Sequence, residues 1–256
     1  MSNWNSDQYL KFEQERTQPS IDLIARIGLP APLKILDVGC GPGNSTAALK
    51  RRFSESYVLG IDSSSEMIRA AKAHYCEMDF VLCDAANELT GLDHDFDLVF
   101  SNACIQWVPN HEKLLSDMAS LLRPGGMLAV QTPMNYKEPI HIIIEQLVSS
   151  ARWKEKIPDK RIFHNLLPEQ YYDLLSSFFR EFSIWETTYY HSLHSHDGII
   201  EWYKGSGLRP YINALSEADG ARFIIQVKEA LLQAYPKQTN GDFIFRFPRF
   251  FFTAQK

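Results

Sequence analysis

The sequence predicts an α/β fold: a mostly parallel sheet with helices on both faces. Three observations carry this. Short β-rich runs alternate with helix-period runs from Leu33 to Thr132. The β-rich runs are continuous apolar segments rather than alternating ones, as in strands covered on both faces. A glycine-rich turn, "GCGPGN", joins the first strand-like run to the first helix-like one.

Taken in order, "LKILDVG" predicts a strand, Asn44–Phe53 a helix, "YVLGI" a strand, and Ser64–His74 a helix. "DFVLC" and "FDLVFSN" predict the next two strands. Over His111–Leu122, residues Leu114, Leu115, Met118, Leu121 and Leu122 recur on one helical face, and "RPGG" at Arg123–Gly126 is expected to end that helix before the strand "MLAVQT". From Pro133 the pattern changes. Residues Glu138–Phe182 are helix-like with breaks at Pro158 and Pro168, "SIWETTYY" predicts a strand, Ser195–Tyr235 is again helix-rich, and "FIFRFPRFFFTA" predicts a final strand. Helices are thus inserted between late strands.

Composition narrows the function classes. A chain of 256 residues, 45% hydrophobic and 12% aromatic, buries a large core. Its 26 Lys+Arg against 31 Asp+Glu give a net charge of −5, the wrong sign for a default nucleic-acid or anionic-membrane binder. Cys40, Cys76, Cys83 and Cys104 have no metal-ligand spacing and read as reduced thiols, and no apolar run reaches the length of a membrane span. A cytoplasmic protein of open oligomeric state, a monomer included, is expected.

The glycine turn carries the chemistry. Gly39, Gly41 and Gly43 admit positive φ and let a ligand approach the backbone, while the helix beginning near Asn44 points free N–H groups into the same crevice. A dinucleotide fingerprint reads G-x-G-x-x-G, whereas here the run is D-x-G-x-G-x-G with Asp37 at the strand end. Asp37 would repel a pyrophosphate but suits a cationic ligand or donors among its neighbours. That run resembles the first motif of the class I S-adenosylmethionine-dependent methyltransferases. The resemblance implies a Rossmann-like, seven-stranded sheet, S-adenosyl-L-methionine as cofactor, and a loop that approaches its methionine and adenosine parts.

Within that resemblance Asp62, which closes "YVLGID" and precedes Ser63, is placed to accept both ribose hydroxyls; capping of the next helix is the alternative. Asp84, after "FVLC", is placed to accept from the adenine amino group with Ala85 leaving room beside the ring, the alternative being a solvated loop acid. Asn102 ends the fourth strand, where the reactive methyl meets its acceptor, and Gln106 and Trp107 follow as acceptor contacts, unless Trp107 is core.

Further segments are less generic: "WNSDQYLKFEQERTQP", "SNACIQWVPNHEKL", "TTYYHSLHSHDGIIEW", "SGLRPY" and "FPRFF". Over nearly the whole chain they resemble the trans-aconitate methyltransferase family, with Arg152–His164 unmatched. The resemblance implies methyl transfer to a carboxylate of a small tricarboxylate, in a single domain over 1–256 with an N-terminal helical lid over 1–30, a cofactor-binding core over 31–132 and helical substrate-cap insertions over 133–181 and 192–240. No catalytic base is required, because a carboxylate is already ionised at neutral pH. Anion recognition by arginine forks is expected from Arg16, Arg209, Arg246 or Arg249, with Tyr9, Tyr189, Tyr190, His191 and Trp202 as donors or walls. Tyr9 and Arg16 lie two helical turns apart and would close over the cofactor as part of the lid. His191, His194 and His196 lack a completing acid or cysteine, so no metal site is expected. Esterification of another carboxylate, such as a malonyl carrier protein, or a non-catalytic S-adenosylmethionine-binding module are the competing readings.

Overall fold

A computed structural model of the chain describes residues 13–157, 162–204 and 207–256, the side chains of 13, 14 and 16 excepted. Two compact units emerge. The larger comprises Arg16–Pro133, Phe163–Thr187 and Arg249–Lys256; the smaller includes Met134–Ile162 and Thr188–Pro248.

After a first helix α1 (Glu13–Ala25), the larger unit follows the expected alternation: β1 (Lys34–Val38), α2 (Asn44–Arg52), β2 (Tyr57–Asp62), α3 (Ser65–His74), β3 (Asp79–Leu82), β4 (Phe96–Asn102), α4 (His111–Leu121) and β5 (Leu122–Pro133). Helices α5 (Pro139–Ser149) and α6 (Pro168–Phe178) precede β6 (Glu181–Leu193); α7 (His196–Lys204), α8 (Arg209–Asn213) and α9 (Glu217–Ala234) lead to β7 (Phe243–Gln255). The seven strands form one sheet in the order β3-β2-β1-β4-β5-β7-β6. Strands β1 to β5 pair in parallel, and β7 runs antiparallel to β5. The Rossmann-like α/β expectation therefore holds.

The order places a topological switch between β1 and β4. From β1 the chain winds outward through β2 and β3, then returns to β4 and continues to β5. Loops leaving the carboxyl ends of β1 and β4 meet there, at the place where open α/β sheets take their ligands. The apolar strands explain the register: Ile35, Leu36 and Val38 on β1 and Leu98, Val99 and Phe100 on β4 are fully buried.

One boundary differs from expectation. The helix stops at Leu121, and "RPGG" lies inside β5 rather than before it. Leu122 already pairs with Phe96, and the register then shifts to Leu98↔Met127. Gly125 supplies φ +76° at this irregularity, and Pro124 can sit in a strand where no ladder donor is required.

In the smaller unit α5, α7 and α9 surround an aromatic core. Trp153 packs edge-on to Phe223 at 5.4 Å, and Trp202 lies against Phe245 and Phe247. Among the described residues no helix is long and apolar enough to cross a membrane.

Candidate active site

The loop after β1 adopts three left-handed glycines, with φ +75° at Gly39, +54° at Gly41 and +95° at Gly43. Each conformation is cheap only without a Cβ. At Gly39 sterics add to the demand: a Cβ would stand 2.2 Å from Cys104 Sγ, because the loop after β4 presses against it. At Gly41 a Cβ would meet nothing within 4 Å, so this part of the loop is bare backbone facing open space. The Gly39 and Cys40 N–H groups donate to the Ile61 carbonyl at 2.8 and 2.9 Å, which anchors the loop to β2.

Two acids hold this loop and the start of α2, and a third, Asp84, follows β3. Asp37 is fully buried; its Oδ2 accepts from the hydroxyls of Ser45 (2.6 Å) and Thr46 (2.7 Å) at the start of α2. Its Oδ1 is buried without a hydrogen bond. Burial pushes the carboxyl up to about 6 against the opposing pull of the two hydroxyls, and the charge of Asp62 adds to the rise. Such an unsatisfied, charge-frustrated oxygen is the kind of atom a cationic donor would complete.

Asp62 closes β2. Its Oδ2 accepts from Gly41 N–H at 3.0 Å and its Oδ1 from Ser64 N–H at 2.8 Å, so it ties the glycine loop to the start of α3. Burial raises its carboxyl above the usual range, and the two backbone donors oppose the rise. Helix capping falls to Ser64, whose hydroxyl accepts from Met67 N–H. With one backbone donor on each, both Asp62 oxygens keep a second lone pair. Ser63 beside it is exposed. Asp84 is occupied locally: Oδ1 accepts from Ala86 N–H at 3.0 Å and Oδ2 from the Asn87 amide at 2.8 Å, while Ala85 is buried.

The turn after β4 forms the other wall of the crevice. Asn102 ends the strand with a buried Oδ1 that makes no hydrogen bond. Ala103 follows at φ +55°, a left-handed conformation in a residue with a Cβ. Gln106 is buried, and its amide is spent on the fold: Nε2 donates to the Ala103 carbonyl at 2.6 Å and Oε1 accepts from Thr132 at 3.2 Å. Trp107 is 38% exposed and packs on Phe163 at a ring distance of 4.8 Å. The segment Phe163–Asn165, which follows the stretch the sequence left unmatched, is tied here as well. His164 N–H donates to the Gln106 carbonyl, and the Asn165 amide donates to Thr132 and to the Pro133 carbonyl.

Burial lifts the Cys104 thiol to about 12 and raises Cys40 too, so neither is a thiolate nucleophile at neutral pH. All four cysteines are free thiols.

Arg249 is buried on β7 opposite Pro133 of β5. In the smaller unit Arg246 pairs with the buried Glu138 at 3.4 Å. The strand alternates buried and exposed residues up to Phe247 and is buried on both faces from Pro248 to Phe252, which separates the environments of the two arginines. Arg209 opens α8, half-buried and with no ion pair among the described residues. Trp202 is a core residue, Tyr189 stacks on His191 at 6.3 Å, and Tyr190 is 66% exposed. The three histidines have separate partners: His191 lies against Trp202, His194 bonds Asp242 at 2.7 Å, and His196 bonds the Tyr235 carbonyl at 2.9 Å. Tyr9 and the Arg16 side chain lie outside the described residues.

Sequence reasoning missed several residues that build the site. Ser45 and Thr46 had a legible signal, two hydroxyls directly after the glycine loop and an acid before it. Thr132, Asn165, His111 and Tyr171 had none, because their partners are distant in sequence.

A bare glycine loop, an acid at the end of β2 and a polar turn after β4, all at a switch point, define a Rossmann-like nucleotide-cofactor site of the methyltransferase class. Comparison with known proteins agrees. Residues 35–126 match the model of the methyltransferase domain. Trans-aconitate 2-methyltransferase of Escherichia coli O157:H7 (strain EC4115 / EHEC) is 40% identical over 256 residues, covering 100% of this chain and 99% of the relative. The enzyme of the same name from Rhodopseudomonas palustris (strain BisB18) is 39% identical over 258 residues, covering 100% of both chains. The crystal structure of YcgJ from Bacillus subtilis superposes with a TM-score of 0.61 at 16% identity, covering 93% of this chain and 98% of that one, a likeness of fold. The chain belongs to the trans-aconitate 2-methyltransferase family.

Proposed function

We propose that the chain transfers the methyl group of S-adenosyl-L-methionine to a carboxylate of trans-aconitate, giving the methyl ester and S-adenosylhomocysteine. The observation that carries this is the full-length 40% identity to enzymes named for that reaction, joined to a crevice whose donors and acceptors suit the cofactor. The fit is chemical. Open space above Gly41 admits a ligand to the backbone, Asp62 offers lone pairs for a ribose diol, and the unsatisfied oxygens of Asp37 and Asn102 suit an ammonium. When bound, the cofactor supplies an electrophilic methyl on a sulfonium centre.

The chain's own residues then bind, align and exclude water. The acceptor carboxylate is ionised at neutral pH, so no side chain has to remove a proton. What remains is placement, worth up to roughly 7–11 kcal/mol when reacting atoms are held in line. A desolvated tricarboxylate needs cations, and Arg209, Arg246 and Arg249 are the candidates; Arg209 is favoured over Arg246, which is already paired with Glu138. Asp84, Ala85, Ser63, Trp107, Tyr189, Tyr190, Tyr9 and Arg16 remain proposed contacts, with Gln106 and Trp202 proposed to shape the site from within the fold. The absence of nucleic-acid partners and a cytoplasmic setting are also proposed, supported by the net charge of −5 and four free thiols.

The test is incubation with methyl-labelled S-adenosylmethionine and a panel of trans-aconitate, cis-aconitate, isocitrate and a malonyl carrier protein. Label is expected in a base-labile ester of trans-aconitate; preferential labelling of the carrier protein would replace the reading.

A further inference from the structure

The turn after β4 is strained, and it is held from several sides. A non-glycine residue at φ +55° costs about 1–2 kcal/mol and persists only where its surroundings over-determine it. Here the surroundings are visible. Ala103 N–H donates to the Gln131 carbonyl at 2.9 Å, and the Ala103 carbonyl accepts from Gln106. Beneath the turn lies a buried relay that neither cofactor binding nor acceptor binding explains. His111, at the first position of α4, sets one ring nitrogen, Nε2, 2.9 Å from the Ile105 carbonyl and the other, Nδ1, 2.8 Å from the hydroxyl of Tyr171 on α6. These partners assign the tautomer: Nε2 carries the proton and donates to Ile105, while Nδ1 accepts from Tyr171. Both side chains are buried, and the Tyr171 ring is clamped against Phe250 at 5.3 Å and Phe252 at 5.6 Å.

We infer that His111 and Tyr171 are positioning residues for methyl transfer: through the Ile105 carbonyl they fix the Ala103–Trp107 turn, and with it the alignment of the acceptor at the end of β4. The inference rests on the methyl-transfer reading. A fold-filling role alone would be served by apolar side chains, because burying two polar groups is costly unless their geometry is used. The geometry is used at one place, the Ile105 carbonyl at the middle of the turn. The same relay makes the alignment sensitive to protonation. Burial holds the imidazole below its ordinary range, with the Ile105 and Val108 carbonyls opposing and nearby His164 adding to the depression. Tyr171 and His164 are the titratable groups that face it. A proton on Nδ1 would reverse that bond: Nδ1–H would donate to the Tyr171 oxygen, and the Tyr171 O–H would have to turn out of it.

The experiment uses the full chain, with folding checked by near-ultraviolet circular dichroism. Tyr171→Phe keeps the ring clamp and removes the hydroxyl. Expected are a fall in kcat for trans-aconitate of about tenfold, an unchanged calorimetric Kd for S-adenosylmethionine, and an acid limb of kcat moved to higher pH because Nδ1 is freed to take a proton. His111→Gln retains a donor toward Ile105 and cannot titrate, so it is expected to recover much of kcat and to flatten the acid limb. Folded variants with wild-type kcat and an unmoved acid limb overturn the inference, as does a loss of cofactor affinity equal to the loss in kcat. A wild-type chain inert toward trans-aconitate overturns the methyl-transfer reading and this inference together; an active wild type with unaffected variants overturns this inference alone.

Discussion

The two walls of the crevice reach left-handed backbone by opposite means. The loop after β1 uses Gly39, Gly41 and Gly43, so the conformation is nearly free and the loop presents backbone to a ligand. The turn after β4 uses Ala103, pays for the strain, and is held by Gln106, the Gln131 carbonyl and the His111–Tyr171 relay. One wall is shaped by what its residues lack, the other by what surrounds it. Under the proposed function the difference suits two tasks, since a cofactor cradle needs close approach whereas an acceptor wall needs rigidity.

The most severe way to break the contrast is to give the glycine wall a side chain. Gly39→Ala introduces both a positive-φ alanine and a Cβ 2.2 Å from Cys104 Sγ. A destabilisation of about 3 kcal/mol is expected from the two effects together, read by urea denaturation. A loss below about 1 kcal/mol would show that the two walls do not touch as described.

Protonation of Asp37 sharpens the same wall. Its carboxyl, pushed up to about 6 from an ordinary value of 3.8, binds a proton more tightly in the folded chain than in the unfolded one. This stabilisation is fully present below the unfolded value and is lost as pH rises through about 6. Relative to Asp37→Asn, the cofactor-free wild type should therefore lose about 2–3 kcal/mol between pH 4 and pH 7. Parallel stability curves for the two proteins would remove the buried charge from the account.

Asp62→Asn tests whether the cradle is built for a diol. Calorimetry should show S-adenosylmethionine binding weakened by about 10- to 100-fold, the worth of charge-assisted hydrogen bonds, with the KM for trans-aconitate little changed. Equal losses in both would mean that the Gly41 and Ser64 contacts, rather than ribose, are its purpose. The smallest effect belongs to the other wall. Ala103→Gly relieves the φ +55° strain and should raise stability by up to about 1 kcal/mol, less the entropy a glycine costs on folding. A lower melting temperature would mean that the alanine methyl packs usefully and the strain is small.

Much of the larger unit was legible in the residue order. Apolar runs bounded by glycine and acid marked β1, β2 and β4 because a strand covered on both faces must be apolar throughout, whereas β3, at the sheet edge, buries only Phe80. The glycines announced their backbone because no other residue adopts it so cheaply. Legibility fell wherever a residue's role depends on a distant partner. "RPGG" read as a helix stop but is an irregularity within β5, since pairing of Leu122 with Phe96 extends the strand past it. Gln106 read as an acceptor contact; that each end of its amide also holds the fold, one through Ala103 and the other through Thr132, was not legible. Arg246 and Arg249 looked equivalent in "FRFPRFF" until Glu138 met one and burial on β7 took the other.

By itself the sequence determined the parallel core, the cofactor loop and its acids, because these follow from local periodicity and from conformations only glycine tolerates. Tertiary structure decided which polar side chains remain unsatisfied and which are consumed by the fold. It left an oxygen of Asp37 and of Asn102 without a partner, joined His111 to Tyr171 across 60 positions, and turned Gln106 inward. The physical reason is that a hydrogen bond acts over about 3 Å of space, whatever the distance along the chain.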